Sequence, residues 1–275
     1  MKVALVTGTS SGFGLLISLA LAEKGYFVAA TMRHLDKKGP LMEQAKQRGL
    51  KRQFECIQLD VTKDDEIKAA VSAILEEHGS IDVLVNNAGY AAGGFVEEIP
   101  DSEWRSQFET NVFGLIAVTR AVLPSMRERG KGKIINMSSV SGRMALPGLG
   151  PYSASKFAVE GFSESLRLEM KAYGVDVVLV EPGSFKTDIW AKGVEDVSLS
   201  EHSAYREKTE RMKRMVTRVA ETAGNPDDVA QLVARIAERE EPDFRYPIGK
   251  GIKSTLKMRA FMPWKWLERA VLKRM

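Results

Sequence analysis

Short runs of aliphatic and β-branched residues alternate along this chain with longer segments of helical periodicity. The runs are almost continuously apolar, which is typical of strands that are covered on both faces of a sheet. They are residues Val3–Thr7, Phe27–Thr31, Phe54–Leu59, Ile81–Asn86, Lys133–Met137 and Val175–Val180. Strands that alternate with helices predict a parallel sheet with right-handed crossovers, and hence a doubly wound α/β fold with helices on both faces.

The helical segments predicted from periodicity lie between these runs, at residues 13–24, 38–49, 64–79, 102–128, 152–172 and 226–239. Two segments depart from the alternation. A long charged insertion at 184–222 follows the sixth run, at the edge of the sheet where ligands bind, and is a candidate lid. A tail occupies 251–275. No repeat or low-complexity linker interrupts the chain, so we predict one domain over 1–250, including the insertion, followed by the tail.

The composition, 44% apolar and 28% charged, is ordinary for a soluble globular protein. Residues 3–22 carry no charge and end in Ala20-Leu21-Ala22, which resembles a signal-peptide cleavage site. The polar turn Thr7–Gly12 in the middle of this stretch argues against a signal peptide and against a membrane span. We therefore expect a cytoplasmic protein.

Cys56 is the only cysteine, which excludes an internal disulfide.

Positive charge is concentrated near the end of the chain. The net charge is +4, yet the segment Arg245–Met275 holds nine Lys and Arg residues and one acid, Glu268. No nucleic-acid-binding module is recognisable, so we expect no nucleic-acid partner. One predicted helical face in the tail carries Trp264, Leu267, Val271 and Met275. Such a helix can lie on an anionic membrane. We favour the alternative that its apolar stripe packs on the body, on a neighbouring subunit or over the mouth of a ligand site.

A glycine-rich turn joins the first predicted strand directly to the first predicted helix. It contains Gly8, Ser10, Ser11, Gly12, Phe13 and Gly14. Glycines there let the main chain approach a pyrophosphate, and the N-terminus of the helix supplies free N–H groups and a positive dipole end. A similar turn can be a plain tight turn, but its place between the first strand and the first helix favours dinucleotide binding.

The end of the second strand indicates which nucleotide is bound. A carboxylate there would accept hydrogen bonds from the ribose hydroxyls and repel a 2′-phosphate. This chain has Thr31-Met32-Arg33 instead, and no acid before Asp36. The guanidinium of Arg33 suits a phosphate, and Ser10 can donate a further hydrogen bond. Although Arg33 also fits a plain surface residue, we predict NADP(H) in preference to NAD(H), with NAD(H) left open.

Tyr152 and Lys156 are four residues apart in a predicted helix, so their side chains share one face. A phenol with a pKa of about 10 is a poor base at neutral pH, and a neighbouring cation favours its ionised form. This spacing is common on any helix. It indicates proton transfer only together with the other motifs of the chain.

Those motifs follow one another in a characteristic order. They are Thr7-Gly8-x-x-x-Gly12-x-Gly14, Asp60-Val61, Asn86-Asn87-Ala88-Gly89, Asn111, Ser139, Tyr152-x-x-x-Lys156 and Pro182-Gly183-x-x-x-Thr187. Over about residues 1–250 the chain thereby resembles the short-chain dehydrogenase/reductase family. The resemblance implies a Rossmann fold with a mainly parallel seven-stranded sheet. It also implies an oxidoreductase that interconverts carbonyl and alcohol by hydride transfer, and a homodimer or homotetramer assembled through the helices at 102–128 and 152–172.

The resemblance assigns a role to each matching position. Tyr152 is the expected general acid and base, and Lys156 is expected to lower the pKa of Tyr152 and to hold the nicotinamide ribose. Ser139 is expected to bind the substrate oxygen, and Asn111 to order a water beside the lysine. The expected cofactor contacts are Asp60 and Val61 at the adenine, Asn87, Ala88 and Gly89 along the cofactor, and Pro182, Gly183 and Thr187 at the nicotinamide amide. No metal is expected.

The segment Tyr152–Met170 and the turn Thr7–Gly14 look most like the hydroxysteroid and retinol dehydrogenase branch of the family. That likeness implies a bulky apolar, steroid-, retinoid- or lipid-like substrate. The insertion offers apolar side chains that line a substrate pocket or simply pack a lid helix, namely Phe185, Ile189, Trp190, Tyr205 and Met212. Of these, we expect Phe185 and Trp190 to contact substrate.

Two other functions fit parts of the pattern. A non-catalytic dinucleotide-binding redox sensor would lack a catalytic residue, yet Asn111, Ser139, Tyr152 and Lys156 are all present. An epimerase or dehydratase of the extended branch shares the Tyr-x-x-x-Lys pair. That branch generally has a longer chain with a separate substrate domain and a different glycine spacing. We therefore favour the oxidoreductase over both alternatives.

Overall fold

A computed structural model describes residues 1–187 and 203–273 of the chain. Seven parallel strands form one sheet in the order β3-β2-β1-β4-β5-β6-β7. The strands are β1 (Val3–Thr7), β2 (Phe27–Met32), β3 (Phe54–Gln58), β4 (Val83–Asn86), β5 (Gly132–Met137), β6 (Val175–Pro182) and β7 (Arg245–Ile248). The sheet confirms the predicted doubly wound α/β fold.

Helices follow the strands in the described part of the chain. They are α1 (Gly12–Glu23), α2 (Gly39–Gln47), α3 (Asp64–His78), α4 (Asp101–Phe108), α5 (Leu115–Glu128), α6 (Gly150–Met170), α7 (Arg206–Glu221), α8 (Pro226–Glu238), α9 (Ile252–Phe261) and α10 (Trp264–Leu272). Helix α8 begins with the predicted cap, since the Asn225 side chain accepts a hydrogen bond of 3.1 Å from the main-chain N–H of Asp227.

The two faces of the sheet are covered by different helices, and strand β1 shows how. Val3 and Leu5 belong to the core that contains residues of α3, α5 and α6, whereas Ala4 and Val6 belong to the core with residues of α1, α2 and α8. All four are buried. Because successive side chains of a strand point to opposite faces, burial on both faces explains why the strands are continuously apolar in sequence.

The order of the strands also places a crevice. From β1 the sheet continues to β2 and β3 on one side and to β4 on the other. The order in which strands are added to the sheet therefore reverses between β1 and β4, and the loops after these two strands diverge. In open α/β sheets, ligands bind at the carboxyl ends of the strands at such a switch point.

The predicted helix at 102–128 is confirmed as a continuous helical stretch, but its middle is not α-helical. Helices α4 and α5 are joined by one π-helical segment, Glu109–Gly114. Asn111, inside this segment, is buried and hydrogen-bonds both main-chain groups of Tyr90. A π segment shifts the helical register and is frequent at functional sites, and here the wider turn carries the Asn111 amide that pairs with Tyr90.

Strand β7 was not located by the sequence pattern. It is short, it pairs only with β6 over the described residues, and it contains Pro247. Proline is tolerated in an edge strand, where its missing N–H leaves no gap in the sheet.

After β7 the tail forms α9 and α10. No helix of the described ranges is both long and apolar enough to cross a membrane. The division at residue 250 stays a prediction.

Candidate active site

A large cleft of about 750 Å3 lies at the carboxyl ends of the strands. We call it the main cleft. It brings together most of the residues that the sequence singled out: Gly8, Ser10, Ser11, Gly12, Phe13, Arg33, Asp60, Val61, Asn87, Ala88, Gly89, Ser139, Tyr152, Lys156, Pro182, Gly183, Phe185 and Thr187. Gly14 and Asn111 do not line it, and Trp190 and Ile189 lie outside the described residues.

The glycine-rich turn forms one end of the main cleft. Gly8 has φ +71°, and a Cβ there would lie 2.8 Å from the Cα of Ala88. A Cβ on Gly14 would lie 2.1 Å from the carbonyl oxygen of Gly8, so Gly14 serves close packing of the turn on α1. Ser11, which precedes α1, makes no capping bond with its side chain. The first N–H groups of a helix have no acceptor within it, so this end can receive an anion.

Asn87 holds the turn in place. Its Nδ2 donates to the carbonyl oxygens of Thr7, at 2.9 Å, and Gly8, at 3.0 Å. In return, Thr7 Oγ1 accepts from the main-chain N–H groups of Asn87 and Ala88, each at 3.0 Å. Thr7 belongs to the glycine-rich motif, but the sequence predicted no role for its side chain. The structure makes it the polar link between the ends of β1 and β4.

Asp60 and Val61, two predicted residues of the cleft, follow β3. The carboxylate of Asp60 accepts from the main-chain N–H of Thr62, at 3.0 Å, and from its hydroxyl, at 2.8 Å. The main-chain N–H of Asp60 donates to Glu66, at 2.8 Å. These bonds fix the loop, and the neighbouring Val61 is almost fully buried.

Cations stand at the outer end of the main cleft. Arg33 follows β2, is exposed, and lines the cleft together with Ser10. Lys37 lines it as well, because the 3-10 segment Leu35–Lys38 turns the chain back towards the sheet. Sequence reasoning missed Lys37, although a second cation four residues beyond Arg33 was a readable signal. Asp36 is exposed and does not line the cleft.

Ser139 and Tyr152 meet at the inner end of the main cleft. Ser139 follows β5 and its hydroxyl caps the 3-10 segment Val140–Gly142 by accepting from the N–H of Ser141, at 3.1 Å. The same hydroxyl is hydrogen-bonded to the phenol of Tyr152. Burial raises the pKa of Tyr152, and the Ser139 hydrogen bond offsets part of that rise. The phenol is therefore protonated at neutral pH.

Lys156 lies beside Tyr152 on α6. Its Nζ is 5.8 Å from the centre of the Tyr152 ring and donates to the main-chain carbonyl of Met137, at 2.8 Å. Burial lowers the pKa of Lys156 to about 8, against the opposing effect of the Glu160 carboxylate. The net pKa of Tyr152 is raised because the cost of ionising a buried phenol dominates, and the expected opposing effect of Lys156 stays a prediction.

Asn111 lies behind α6 rather than in the cleft. Its Nδ2 donates to Tyr90 O, at 2.9 Å, and to Ser155 Oγ, at 3.2 Å, while its Oδ1 accepts from Tyr90 N, at 3.1 Å. Ser155 directly precedes Lys156. Asn111 thus connects the π segment, the loop after β4 and the helix that carries the lysine. The water expected beside Lys156 stays a prediction.

A second cavity, of about 240 Å3, lies between the body and the tail. We call it the apolar cavity. Its lining is dominated by apolar side chains, with cations among them: Phe95, Met144, Leu146, Pro147, Lys208, Arg211, Met212, Thr255, Met258, Arg259, Met262, Leu267, Ala270 and Val271. Phe95 also lines the main cleft and stacks on Tyr205 with ring centres 4.6 Å apart. The two cavities therefore share a wall.

This cavity tests the prediction for the tail. Leu267 and Val271 line the apolar cavity together with Met212, as packing of the stripe towards the body requires. Trp264 is 63% exposed and does not pack on the body, so its contact with a neighbouring subunit stays a prediction. Met275 lies outside the described residues.

Comparison with known proteins identifies the family. A family model described as short chain dehydrogenase matches residues 2–198. The chain belongs to this family. The oxidoreductase YusZ of Bacillus subtilis is 44% identical over 100% of this chain and 98% of its own length. The 3-ketodihydrosphingosine reductase of Bacteroides thetaiotaomicron is 36% identical over 90% of this chain and 88% of its own length.

Solved structures of short-chain dehydrogenases share the fold. A single-residue variant of the actinorhodin polyketide ketoreductase, with NADPH, superposes with a TM-score of 0.78 and 33% identity, covering 91% of this chain and 97% of that one. A short-chain dehydrogenase/reductase from Burkholderia phymatum, in complex with NAD, superposes with a TM-score of 0.81 and is 28% identical, covering 94% of this chain and 92% of that one. Since both nicotinamide cofactors occur among these neighbours, the choice between them depends on the residues of this chain.

Proposed function

We propose that this short-chain dehydrogenase uses NADP(H) to interconvert a carbonyl and an alcohol on a bulky apolar substrate. One observation carries the proposal. The hydrogen-bonded pair Ser139 and Tyr152, with Lys156 beside it, lines the same cleft as the glycine-rich turn. A dinucleotide held by that turn would have its nicotinamide near the hydroxyl pair.

The residues present fit a dinucleotide. Gly8 leaves no room for a Cβ against Ala88, and Gly12 begins α1 with its N-terminus at the cleft. Ser10, Ser11, Gly12 and Phe13 would hold the pyrophosphate, and Asp60 and Val61 the adenine. Further along, Asn87, Ala88 and Gly89 would contact the cofactor, and Pro182, Gly183 and Thr187 the nicotinamide amide.

The mechanism is acid–base catalysis by a neutral phenol. When bound, the nicotinamide supplies or accepts the hydride at the substrate carbon. In reduction, Ser139 and Tyr152 hydrogen-bond the carbonyl oxygen, and Tyr152 transfers its phenolic proton to that oxygen. In oxidation, the phenolate of Tyr152 takes the proton of the alcohol. Protonation of Tyr152 at neutral pH suits the reductive direction.

Lys156 stabilises the state in which Tyr152 has lost its proton. A buried ammonium near the ring lowers the free energy of the phenolate that remains after proton transfer. With a pKa of about 8, Lys156 is mostly charged at neutral pH. The same ammonium would bind the hydroxyls of the nicotinamide ribose. Asn111 positions this part of α6 through Ser155.

The preference for NADP(H) rests on Arg33, Lys37 and Ser10. Two cations and a hydroxyl line the cleft after β2, and the first acid beyond that strand, Asp36, does not line it. Guanidinium and ammonium groups bind a phosphate anion more strongly than they bind neutral ribose hydroxyls. The NADPH complex of the polyketide ketoreductase is consistent with this preference.

The apolar substrate is supported by the apolar cavity. Its walls are rich in methionine and leucine, and Phe95 connects it with the main cleft. Methionine side chains adapt to irregular apolar ligands. The name of the relative from Bacteroides thetaiotaomicron describes a reductase of a lipid ketone. Phe185 lines the main cleft and packs on Phe13 with ring centres 5.8 Å apart. Contact of Phe185 and Trp190 with substrate stays a prediction.

Assembly and location are further parts of the proposal. Phe113, Phe157 and Leu168, on the π segment and α6, are 54%, 47% and 76% exposed. Large exposed apolar side chains on these segments support a homodimer or homotetramer formed through them. The cytoplasmic location stays a prediction.

The deciding experiment is Tyr152→Phe, assayed with NADPH on a panel of steroid, retinoid and long-chain ketones and small aldehydes. We expect kcat to fall by at least about a hundredfold while NADPH binding, followed by its fluorescence, stays unchanged. Tyr173→Phe, on a half-exposed tyrosine outside both cavities, is the matched control. Retained turnover in Tyr152→Phe would refute the assignment. Cofactor binding by the unaltered protein without turnover of any substrate would favour the redox sensor.

A further inference from the structure

Three large aromatic side chains are exposed together at the turn between the two tail helices. We call residues 261–266, which join α9 to α10, the aromatic corner. Phe261 is 89% exposed, Trp264 63% and Trp266 65%. None of the three lines the main cleft or the apolar cavity. Several large exposed apolar side chains within six residues mark a candidate interaction site, and the proposed reaction does not use this one.

Cations surround the aromatic corner. Between residues 250 and 273 the chain has one acid, Glu268, and seven Lys and Arg residues: Lys250, Lys253, Lys257, Arg259, Lys265, Arg269 and Lys273. All but Arg259 are exposed. The guanidinium of Arg259 lies 5.4 Å from the centre of the Trp264 ring. Exposed aromatic and cationic side chains therefore occur together along the two tail helices, and one cation, Arg259, contacts the aromatic corner directly.

We propose that the aromatic corner and its cations dock the enzyme on an anionic lipid bilayer. Tryptophan and phenylalanine favour the boundary between headgroups and acyl chains, and lysine and arginine are attracted to anionic headgroups. Each cation near such a surface adds a favourable contribution, so seven cations against one acid suit it well. The two tail helices have ten and nine residues and are each too short to span a bilayer, so on this proposal they lie along its surface.

A second copy of the chain fits this surface less well. A two-fold contact sets a surface against itself. In such a contact the seven cations and one acid of one copy would face the same groups of the other copy, and the like charges would repel each other. The aromatic rings are exposed and line neither the main cleft nor the apolar cavity, so they suit insertion into a soft interface.

The position of the corner matters for catalysis. Met262, inside the aromatic corner, lines the apolar cavity. Docking would therefore bring one wall of that cavity close to the lipid, where apolar substrates are concentrated. This consequence rests on the proposed function, whereas membrane binding itself does not.

The test is co-sedimentation of the full chain with vesicles of phosphatidylcholine alone or mixed with phosphatidylglycerol. We expect binding to the mixed vesicles, reduced by salt, and a blue shift of tryptophan fluorescence. Trp264→Ser with Trp266→Ser, and separately Lys253→Glu with Lys265→Glu, should each weaken binding by about tenfold or more. Tyr173→Ser, which removes a half-exposed aromatic outside the tail, should bind like the unaltered protein.

Folding is checked by turnover of a small water-soluble carbonyl compound, which should be unchanged in both double variants. If the double variants fail to fold, as shown by a loss of cofactor binding, the milder variants Trp264→Tyr and Lys265→Gln replace them. These should also weaken vesicle binding, but by less. Equal sedimentation with both kinds of vesicle, or undiminished binding by the variants, would overturn the proposal. The proposal would also be overturned if the unaltered protein did not bind vesicles and the double tryptophan variant sedimented with a smaller mass than the unaltered protein. That result would assign the aromatic corner to contacts between copies of the chain.

Discussion

The ammonium of Lys156 donates a hydrogen bond of 2.8 Å to the main-chain carbonyl of Met137, the last residue of β5. The lysine is thereby held between the sheet and the ring of Tyr152, away from water. Burial lowers its pKa to about 8, so its charge changes within the range where such enzymes are assayed. The activity of the enzyme should report this change.

The first prediction is a loss of reductase activity as pH rises through about 8. Below its pKa Lys156 is charged and stabilises the phenolate formed by proton transfer; above it that stabilisation is lost. The measurement is kcat for carbonyl reduction at saturating NADPH, from about pH 6 to about pH 10. A rate that stays constant up to the ionisation of free lysine would show that this group does not control the reaction.

The second prediction concerns Arg33 and Lys37. Arg33→Asp should lower kcat/KM for NADPH by about a hundredfold and shift preference towards NADH, because it replaces a phosphate-binding group by a carboxylate. Lys37→Ala should cost about tenfold, since an exposed ammonium contributes less. The control is Lys38→Ala, an exposed neighbour that does not line the cleft. An unchanged ratio of NADPH to NADH in Arg33→Asp would contradict the assignment.

The fold could be predicted because strands buried on both faces must be apolar throughout, as in Val3–Thr7. The position of Tyr152 relative to Lys156 follows from helical periodicity, and the glycine-rich turn from its place after the first strand. Each of these features depends on residues close together in sequence.

The features that escaped prediction depend on tertiary contacts. Lys37 reaches the cleft only because a 3-10 turn redirects the chain, and the π segment around Asn111 forms where its amide pairs with Tyr90. The apolar cavity joins side chains as distant in sequence as Met144 and Met262. The net rise in the pKa of Tyr152 comes from burial, which cannot be read from the spacing of two residues.

The third prediction concerns the ion pairs of Arg245. Its guanidinium lies 3.1 Å from Glu160, 3.4 Å from Glu181 and 2.9 Å from Glu164. Glu181 is fully buried, and Arg143 is its other partner, at 3.1 Å. Arg245→Met would leave buried carboxylates short of positive charge, and should lower the free energy of unfolding by about 3 kcal/mol at neutral pH.

The effect should depend on pH with a definite sign. Burial and the neighbouring Glu160 raise the pKa of Glu181, so the folded protein binds a proton there more readily than the unfolded chain. As pH falls, Glu181 is neutralised and the cost of losing Arg245 shrinks. Urea unfolding at neutral pH and at about pH 5 measures this. Arg235→Met, on an exposed arginine of α8, should change stability little at either pH. An equal loss at both pH values for Arg245→Met would show that charge is not the cause.

The last prediction separates packing of the glycine-rich turn from flexibility of the backbone. In Gly14→Ala the new Cβ would lie 2.1 Å from the Gly8 carbonyl oxygen and 2.5 Å from the Nδ2 of Asn87, which is bonded to that same oxygen. The turn and α1 must then move apart, with a loss of about 1–3 kcal/mol in stability and about tenfold or more in cofactor affinity. Gly25, at the other end of α1, has φ +84° and no atom near a Cβ. Gly25→Asn should therefore cost under about 1 kcal/mol and leave cofactor affinity unchanged, because asparagine tolerates the left-handed conformation. If calorimetry and NADPH titration gave the same losses for both variants, the close approach of Gly14 to Gly8 would not be what shapes the cofactor site.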